Sequence, residues 1–262
     1  IAIGVSTLDA TTSGYNNIAI GKAAAGALTT GARNVAVGVS TLSTATTAGM
    51  NVAIGQSAME GVASGVALEG AIGIGKDALT AINSTGANYT VAIGYQALTA
   101  ITSPAGNTAI GYHAGHELTT GHSNTFVGYE AGGDFDGGES NLVAIGRNAM
   151  GDADHDSTST SVAVGTNALK GGTGYFVSAV AIGYDAMANT NTRGVNGAIA
   201  IGRNAMDSTF GGTVTDCIAI GRDSMHHASN QLNGTTGDIG IGYATLQALT
   251  TGDYNIAIGY EA

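Results

Sequence analysis

The chain has 262 residues, of which 43 are glycine, one is proline and none is tryptophan, and 44% are hydrophobic. That hydrophobic share is too high for a disordered chain, whereas the glycine content argues against an ordinary packed globule. The net charge of −11, with only eight lysines and arginines, argues against nucleic acid as a partner because no broad basic surface can form. No apolar run reaches the roughly 20 residues of a membrane-spanning helix, and the single cysteine excludes an intrachain disulfide framework.

One short motif recurs along the whole chain: two β-branched residues flank an alanine, and a glycine follows. Its glycine occurs fifteen times, 17 to 21 residues apart. A repeat of this length is too small to form a core alone, so successive repeats are expected to stack as coils of a solenoid. Taking each glycine as position 0 of its repeat, the zero positions are 4, 21, 38, 55, 75, 94, 111, 128, 146, 165, 183, 202, 221, 242 and 259.

Positions −3 to −1 of each repeat predict a β-strand. Position −1 is Ile or Val in all fifteen repeats, position −3 in thirteen, and position −2 is Ala in twelve. This alternation is typical of a strand with one bulky face and one small face. Glycine at position 0 permits a backbone corner that a Cβ would obstruct. The predicted parallel ladder includes Ile20, Val37, Ile54, Ile93 and Ile110, with Gly21, Gly38 and Gly55 at its corners.

Other positions of the repeat are also regular. Six repeats carry Asn at position −4, among them Asn17, Asn34 and Asn51, and stacked amides can form a ladder of hydrogen bonds along the coil axis. Position +3 is always small, and position +4 is Leu or Met in eleven of fourteen repeats, which predicts a second short strand. The connections are rich in Thr, Gly and Asn, as turns are. Connections 132–141 and 151–160 are expected at a solvent-exposed edge.

The narrow cross-section of such a coil leaves two arrangements open. In the first, the Ile and Val side chains line the interior of their own coil and the chain is a monomeric solenoid. In the second, the interior holds mostly small residues and the Ile and Val side chains point outward as an apolar stripe. A stripe of that size is unfavourable in water, at about 25 cal/mol per Å², and would have to contact copies of itself.

Repeats of the form Asn-x-x-Ala-Ile-Gly, with a downstream Ala-Leu and Thr-Thr-Gly, resemble two families of extracellular fibres. They are similar to the head repeats of trimeric autotransporter adhesins and to the repetitive shafts of phage tail fibres. Residues 15–21 and 91–98 carry the resemblance best. The resemblance implies a left-handed parallel β-roll, here of about 15 coils, with three chains side by side around an axis and a role in attachment. The longer and looser repeats of this chain favour the tail fibres.

We therefore expect an all-β chain with one β-solenoid array over residues 1–262, as a fragment of a longer fibre whose caps lie elsewhere. The expected function is that of a non-enzymatic structural and adhesive shaft in an extracellular homotrimer, most like a phage tail fibre attaching to its host. The head of a bacterial trimeric adhesin is the alternative. An acyltransferase-like enzyme or an ice-binding solenoid fits less well, because the hexapeptide pattern is incomplete and the threonines are adjacent. No cofactor is expected; the partners are further copies and a glycan or protein receptor.

Two sets of residues are candidates for contacts with partners or ions. Tyr95, Tyr112 and Tyr129 occupy position +1 of consecutive repeats, about 4.8 Å apart if the coils stack. They could form an aromatic track for a glycan or a partner, or they could seal the groove between protomers. Asp152, Asp154 and Asp156 alternate along one loop and offer oxygen ligands suited to calcium, although a solvated acidic loop is the simpler interpretation. His113 and His116 could ligate a metal shared between chains, or simply form hydrogen bonds on a turn.

Overall fold

The computed structural model describes residues 1–84, 88–103, 106–153, 157–171, 174–190 and 194–262, with the backbone alone for 208–210 and 227–233. All regular elements within these ranges are β-strands, and each repeat contributes one strand at positions −3 to −1. The prediction of an all-β, parallel β-solenoid is confirmed. The chain falls into two compact units, Ile1–Val127 and Gly128–Ala262.

The first unit contains eight strands that pair in parallel in sequence order. Equivalent repeat positions face each other in every pair, so that Ile20 lies opposite Val37, Val37 opposite Ile54, and Ile93 opposite Ile110. The register follows the repeat even where a connection is longer. The strands are β1 (Ala2–Ile3), β2 (Ile18–Ile20), β3 (Val35–Val37), β4 (Val52–Ile54), β5 (Ile72–Ile74), β6 (Val91–Ile93), β7 (Thr108–Ile110) and β8 (Thr125–Val127).

The second unit repeats this arrangement and adds strands from its longer connections. The bounds are β9 (Val143–Ile145), β10 (Val162–Val164), β11 (Phe176–Val177), β12 (Val180–Ile182), β13 (Val195–Asn196), β14 (Ile199–Ile201), β15 (Ser208–Gly212), β16 (Val214–Thr215), β17 (Ile218–Ile220), β18 (His227–Asn233), β19 (Ile239–Ile241) and β20 (Ile256–Ile258). The main strands pair in parallel as β9-β10-β12-β14-β17-β19-β20. The strands β11, β13 and β16 form a second parallel sheet, and β15 pairs with β18.

The strands point their small residue inward and their two large residues outward. Ala19, Ala36 and Ala53, at position −2, are fully buried, whereas the Ile and Val side chains on either side are half-buried or exposed. Ile110 at position −1 remains 39% exposed. Of the two arrangements that the sequence left open, the structure therefore has the outward apolar stripe of the second. Its interior, however, also holds large side chains such as Leu42, Met59 and Leu98.

The segment after the corner is a series of turns, so the prediction of a second strand there is wrong. Gln96 at position +2 and Leu98 at position +4 have φ of 52° and 48°, in the left-handed region. Their amides bond in opposite directions: Gln96 N donates to Lys76 O of the preceding coil, and Leu98 N donates to Ala114 O of the following one. β-Branched residues are strongly disfavoured in this region, and none stands at either position in any repeat. This explains Leu and Met, rather than Ile and Val, at position +4.

The interior is built from columns of side chains at positions −4, −2, +3, +4 and +7 of the repeat. The sequence pattern singled out all of these positions except position +7. The sequence signal for this buried column is the apolar residue that follows position +4 by three places in many repeats. The position +7 residues with fully buried side chains are Leu28, Ala45, Val62, Ile82, Ile101, Leu118, Phe135 and Ala153.

The connection 132–141 is only partly the solvent-exposed loop that was expected. Phe135 at position +7 and Glu139 are fully buried, while Asp134 and Asp136 point to solvent. A Glu139 carboxylate oxygen accepts a hydrogen bond from the backbone of Gly137 at 3.2 Å. The physical reason is that the interior needs a bulky group at position +7, so the loop folds inward around Phe135.

One coil of the first unit exchanges large and small residues between two interior columns. Phe126 replaces the usual Ala at position −2, and Gly115 replaces the usual Leu or Met at position +4 of the preceding repeat. A Cβ on Gly115 would lie 2.8 Å from Phe126 Cδ2 and 3.0 Å from Leu98 Cδ2. The opposite exchange occurs at Gly73, against which Met59 packs. The two columns therefore share one volume between adjacent coils.

Candidate functional site

The Asn side chains at position −4 form buried hydrogen-bonded ladders in the first unit, one through Asn17, Asn34 and Asn51 and one through Asn107 and Asn124. Asn34 Nδ2 donates to Asn17 Oδ1 at 3.1 Å and to Ala48 O at 2.7 Å, and Asn34 N also donates to Asn17 Oδ1. Asn51 donates in the same way to Asn34 Oδ1. Each amide thus satisfies buried backbone groups and its neighbour's side chain at once. The ladder is structural, because its polar atoms are occupied by the coils themselves.

The second unit has a defect in the equivalent position. Asp238 is fully buried, and its Oδ1 accepts bonds from Asn255 N and Asn255 Nδ2 at 2.8 and 3.0 Å. Its Oδ2 is buried without a hydrogen-bond partner. An Asn here would instead direct an amide donor at the carbonyl of Gly252, as Asn34 does at Ala48.

We expect Asp238→Asn to stabilise the protein by about 1–3 kcal/mol, because a buried oxygen without a partner is replaced by a hydrogen-bond donor. The free energy of unfolding from urea denaturation measures this gain. The matched control is Asn34→Asp, which removes two donated bonds from an intact ladder and should destabilise the protein. A loss of stability in Asp238→Asn would contradict the assignment of Asp238 to the ladder.

The outward face of the strands is a regular, partly exposed surface in each unit. It consists of the Ile and Val side chains at positions −3 and −1, bordered at one strand end by position +1. We call the side chains at position +1 the +1 row: Val5, Lys22, Val39, Gln56, Lys76, Tyr95, Tyr112, Tyr129, Arg147, Thr166, Tyr184, Arg203, Arg222, Tyr243 and Tyr260. The +1 row contains five of the eight lysines and arginines of the chain and six tyrosines, and it contains no acidic residue.

Two pairs of tyrosines from consecutive repeats of this row lie ring against ring, Tyr95 with Tyr112 and Tyr243 with Tyr260. The rings of Tyr95 and Tyr112 are 5.4 Å apart and within 9° of parallel, and the ring of His113 stacks on Tyr112 at 3.9 Å. Lys76 Nζ lies 5.5 Å from the centre of the Tyr95 ring. Sugars bind aromatic side chains through the ring faces, and these faces are already covered by neighbouring rings. The arrangement therefore favours a row that packs against protein over an open track for a glycan.

Tyr129, the third tyrosine named from the sequence, belongs to the second unit and is 48% exposed. Position +1 continues there with a similar pairing, since the Arg222 guanidinium lies 4.4 Å from the centre of the Tyr243 ring. Arg222 Nε also lies 3.4 Å from Asp223 Oδ2. Cations and aromatic rings thus support each other along the row in both units.

Of the residues proposed to bind calcium, Asp154 and Asp156 lie outside the described residues. Asp152 is described, and its Oδ2 lies 3.3 Å from Lys170 Nζ. Within the described ranges, no group of three or more His, Cys, Asp or Glu side chains is placed to hold a metal ion. His113 and His116 stack with ring centres 4.6 Å apart, and His116 Nε2 lies 3.4 Å from Glu117 Oε1. The calcium site stays a prediction.

Cys217 occupies position −4 of its repeat, where it packs as a small buried side chain. Its Sγ donates to Thr215 O at 3.4 Å and lies 3.5 Å from Thr235 Oγ1. Burial raises the pKa of the Cys217 thiol above its usual range, which lowers the fraction of reactive thiolate. The surroundings are those of an interior filler.

The described part of the chain contains no helix that is long and apolar enough to cross a membrane. No protein-family model, curated protein sequence or solved structure matches the chain. The geometry of its own surface is therefore the guide to its function.

Proposed function

We propose that this protein is a non-enzymatic structural and adhesive shaft of an extracellular homotrimeric fibre, most like the shaft of a phage tail fibre that attaches to a host surface. The observation that carries this proposal is the direction of the strand side chains. The interior takes alanine at position −2, so the Ile and Val columns remain outside their own coil. An apolar surface with this regular spacing is best covered by a partner with the same spacing of apolar side chains. A second copy of the chain has that spacing.

The size of the surface supports the same conclusion. In the first unit the two columns run over eight parallel strands, which at about 4.8 Å per strand gives roughly 34 Å. Monomeric proteins rarely expose a continuous apolar patch of more than a few hundred Å². Copies that run in the same direction can contact each other at every level of the stack. Three copies, rather than two, is the number that the resemblance to fibre repeats implies.

Assembly is tested by measuring the molar mass in solution by light scattering at low micromolar concentration. We expect three chains. The triple variant Ile20→Thr, Ile54→Thr and Ile110→Thr should shift the mass towards one chain while the circular dichroism of the strands is retained. Thr suits this test because Thr108 and Thr125 already occur on the outward face.

The matched control is Ala53→Thr, at the buried centre of the same strand as Ile54. This change puts a hydroxyl and a methyl group into a filled interior and should unfold the coil rather than only dissociate the copies. A stable, folded monomer of the unaltered chain would refute the proposed assembly. If the triple variant unfolded as readily as the control, the outward columns would be stabilising their own coil.

A further inference from the structure

The outward face has two different borders, which together suggest how neighbouring copies meet. The +1 row lies at the end of each strand. Positions −6 and −5 lie before the strand and form a second exposed row, the −5/−6 row. Its charged and aromatic members among the described residues of both units are Tyr15, Arg33, Glu69, Tyr89, His122, Asp216, Asp253 and Tyr254.

Charges on the two rows are complementary at the same level of the stack. Lys76 follows β5 and Glu69 precedes it; Arg222 follows β17 and Asp216 precedes it. The carboxylates of Glu69 and Asp216 are exposed. In the described part of the chain, no level has an acidic residue in the +1 row together with a cation in the −5/−6 row. Arg33, the cation of the −5/−6 row, lies at the same level as the uncharged Val39 of the +1 row.

Within one chain, Lys76 Nζ and Arg222 Nε lie instead 3.4 Å from the carboxylates of the adjacent Asp77 and Asp223, while Glu69 and Asp216 stand at the other end of the strand. A strand of three residues spans roughly 10 Å, and the side chains border its two ends. They can meet between chains when the copies form a closed ring, since a cyclic assembly brings one border of each copy against the opposite border of the next. We propose that the +1 row of each chain docks on the −5/−6 row of the next chain, an inference that rests on the proposed homotrimer. Lys76 then lies beside Glu69 of the neighbouring copy, and Arg222 lies beside its Asp216.

The contact does two things that the apolar columns cannot. The Ile and Val columns are nearly identical at every level, so they would tolerate a slip by one coil. Charges at a few levels fix the register between neighbouring chains. If one chain slipped by one coil, Lys76 and Arg222 would no longer lie beside the carboxylates of the next chain. The stacked tyrosines of the +1 row then cover the groove between adjacent copies.

The test is disulfide cross-linking between chains. In a Cys217→Ser background, which keeps a side-chain donor as Ser161 does at the same position, Glu69→Cys and Lys76→Cys are introduced together. Oxidation followed by denaturing electrophoresis without reductant should give a covalent trimer as the largest product. An intrachain bridge is excluded, because a disulfide needs Cα atoms within about 7 Å.

Three controls make the result specific. Each cysteine alone should give no covalent product, and Lys76→Cys combined with Asn16→Cys, three coils away, should give none. The charge reversal Lys76→Glu should weaken assembly several-fold, and the double reversal Lys76→Glu and Glu69→Lys should restore it. If light scattering shows a trimer but the matched pair does not cross-link, this inference is overturned and the fibre proposal stands. A monomer by light scattering overturns both, and dimers from Lys76→Cys alone would overturn the inference by showing that like rows meet.

Discussion

Replacing Phe126 by alanine should lower the free energy of unfolding by about 3–5 kcal/mol, the usual cost of removing a buried aromatic side chain. The ring is fully buried and fills space left by Gly115 in the preceding coil. The preceding coil cannot close the cavity, because its strand β7 is held in register by parallel pairing with β6 and with β8. Urea denaturation followed by circular dichroism measures the loss.

The decisive form of this experiment is a double variant. Gly115→Leu alone should also destabilise the protein, because a Cβ there would lie 2.8 Å from Phe126 Cδ2. Combined with Phe126→Ala it recreates the pair found in other repeats, Ala at position −2 and Leu at position +4, so the double variant should be more stable than either single one. Leu is compatible with the backbone at position 115, since Leu98 occupies the equivalent position with φ of 48°. If the two losses simply added, the two columns would not share one volume.

Gly94→Ala should destabilise the first unit by on the order of 4 kcal/mol or more. Gly94 has φ of 142°, a conformation that residues with a Cβ rarely adopt. A Cβ there would also collide with the carbonyl oxygen of Gly111, directly above it in the next coil. That carbonyl belongs to the corner of a paired strand, whose Gly111 N donates to Ile93 O at 2.8 Å, so it cannot move without breaking the ladder.

Gly106→Ala is the control for a positive φ without crowding. Gly106 has φ of 67°, in the left-handed α region that Gln96 and Leu98 also adopt, and a Cβ attached to it would have no atom within 4 Å. The control should therefore cost roughly 1–2 kcal/mol. Thermal and urea denaturation of both variants measure the difference. Equal losses would mean that neither the backbone conformation near φ of 140° nor the close stacking of coils is a constraint at the corners.

Much of the fold could be predicted from the repeat itself. The alternation at positions −3 to −1 predicted the strands, their parallel register and the Gly corners, because a strict short pattern repeated fifteen times leaves few arrangements for a chain of this length. The Asn ladder followed in the same way from identical side chains at one position. The strand expected around position +4 was wrong: alternating small and large residues suggested it, whereas the left-handed backbone at Gln96 and Leu98 produces the same alternation with turns.

The β-solenoid, its period and its parallel register follow from the sequence alone, since they depend on local pattern and on repetition. Which strand face lies inside became clear only from the packing of the folded chain. The interior of the thin coil holds Ala53 together with the side chains at positions +4 and +7, whereas Ile54 stays partly exposed. Which face of the strand is buried therefore depends on side chains from other parts of the coil that fill the same interior. The same packing drew Phe135 and Glu139 inward from a connection expected in solvent.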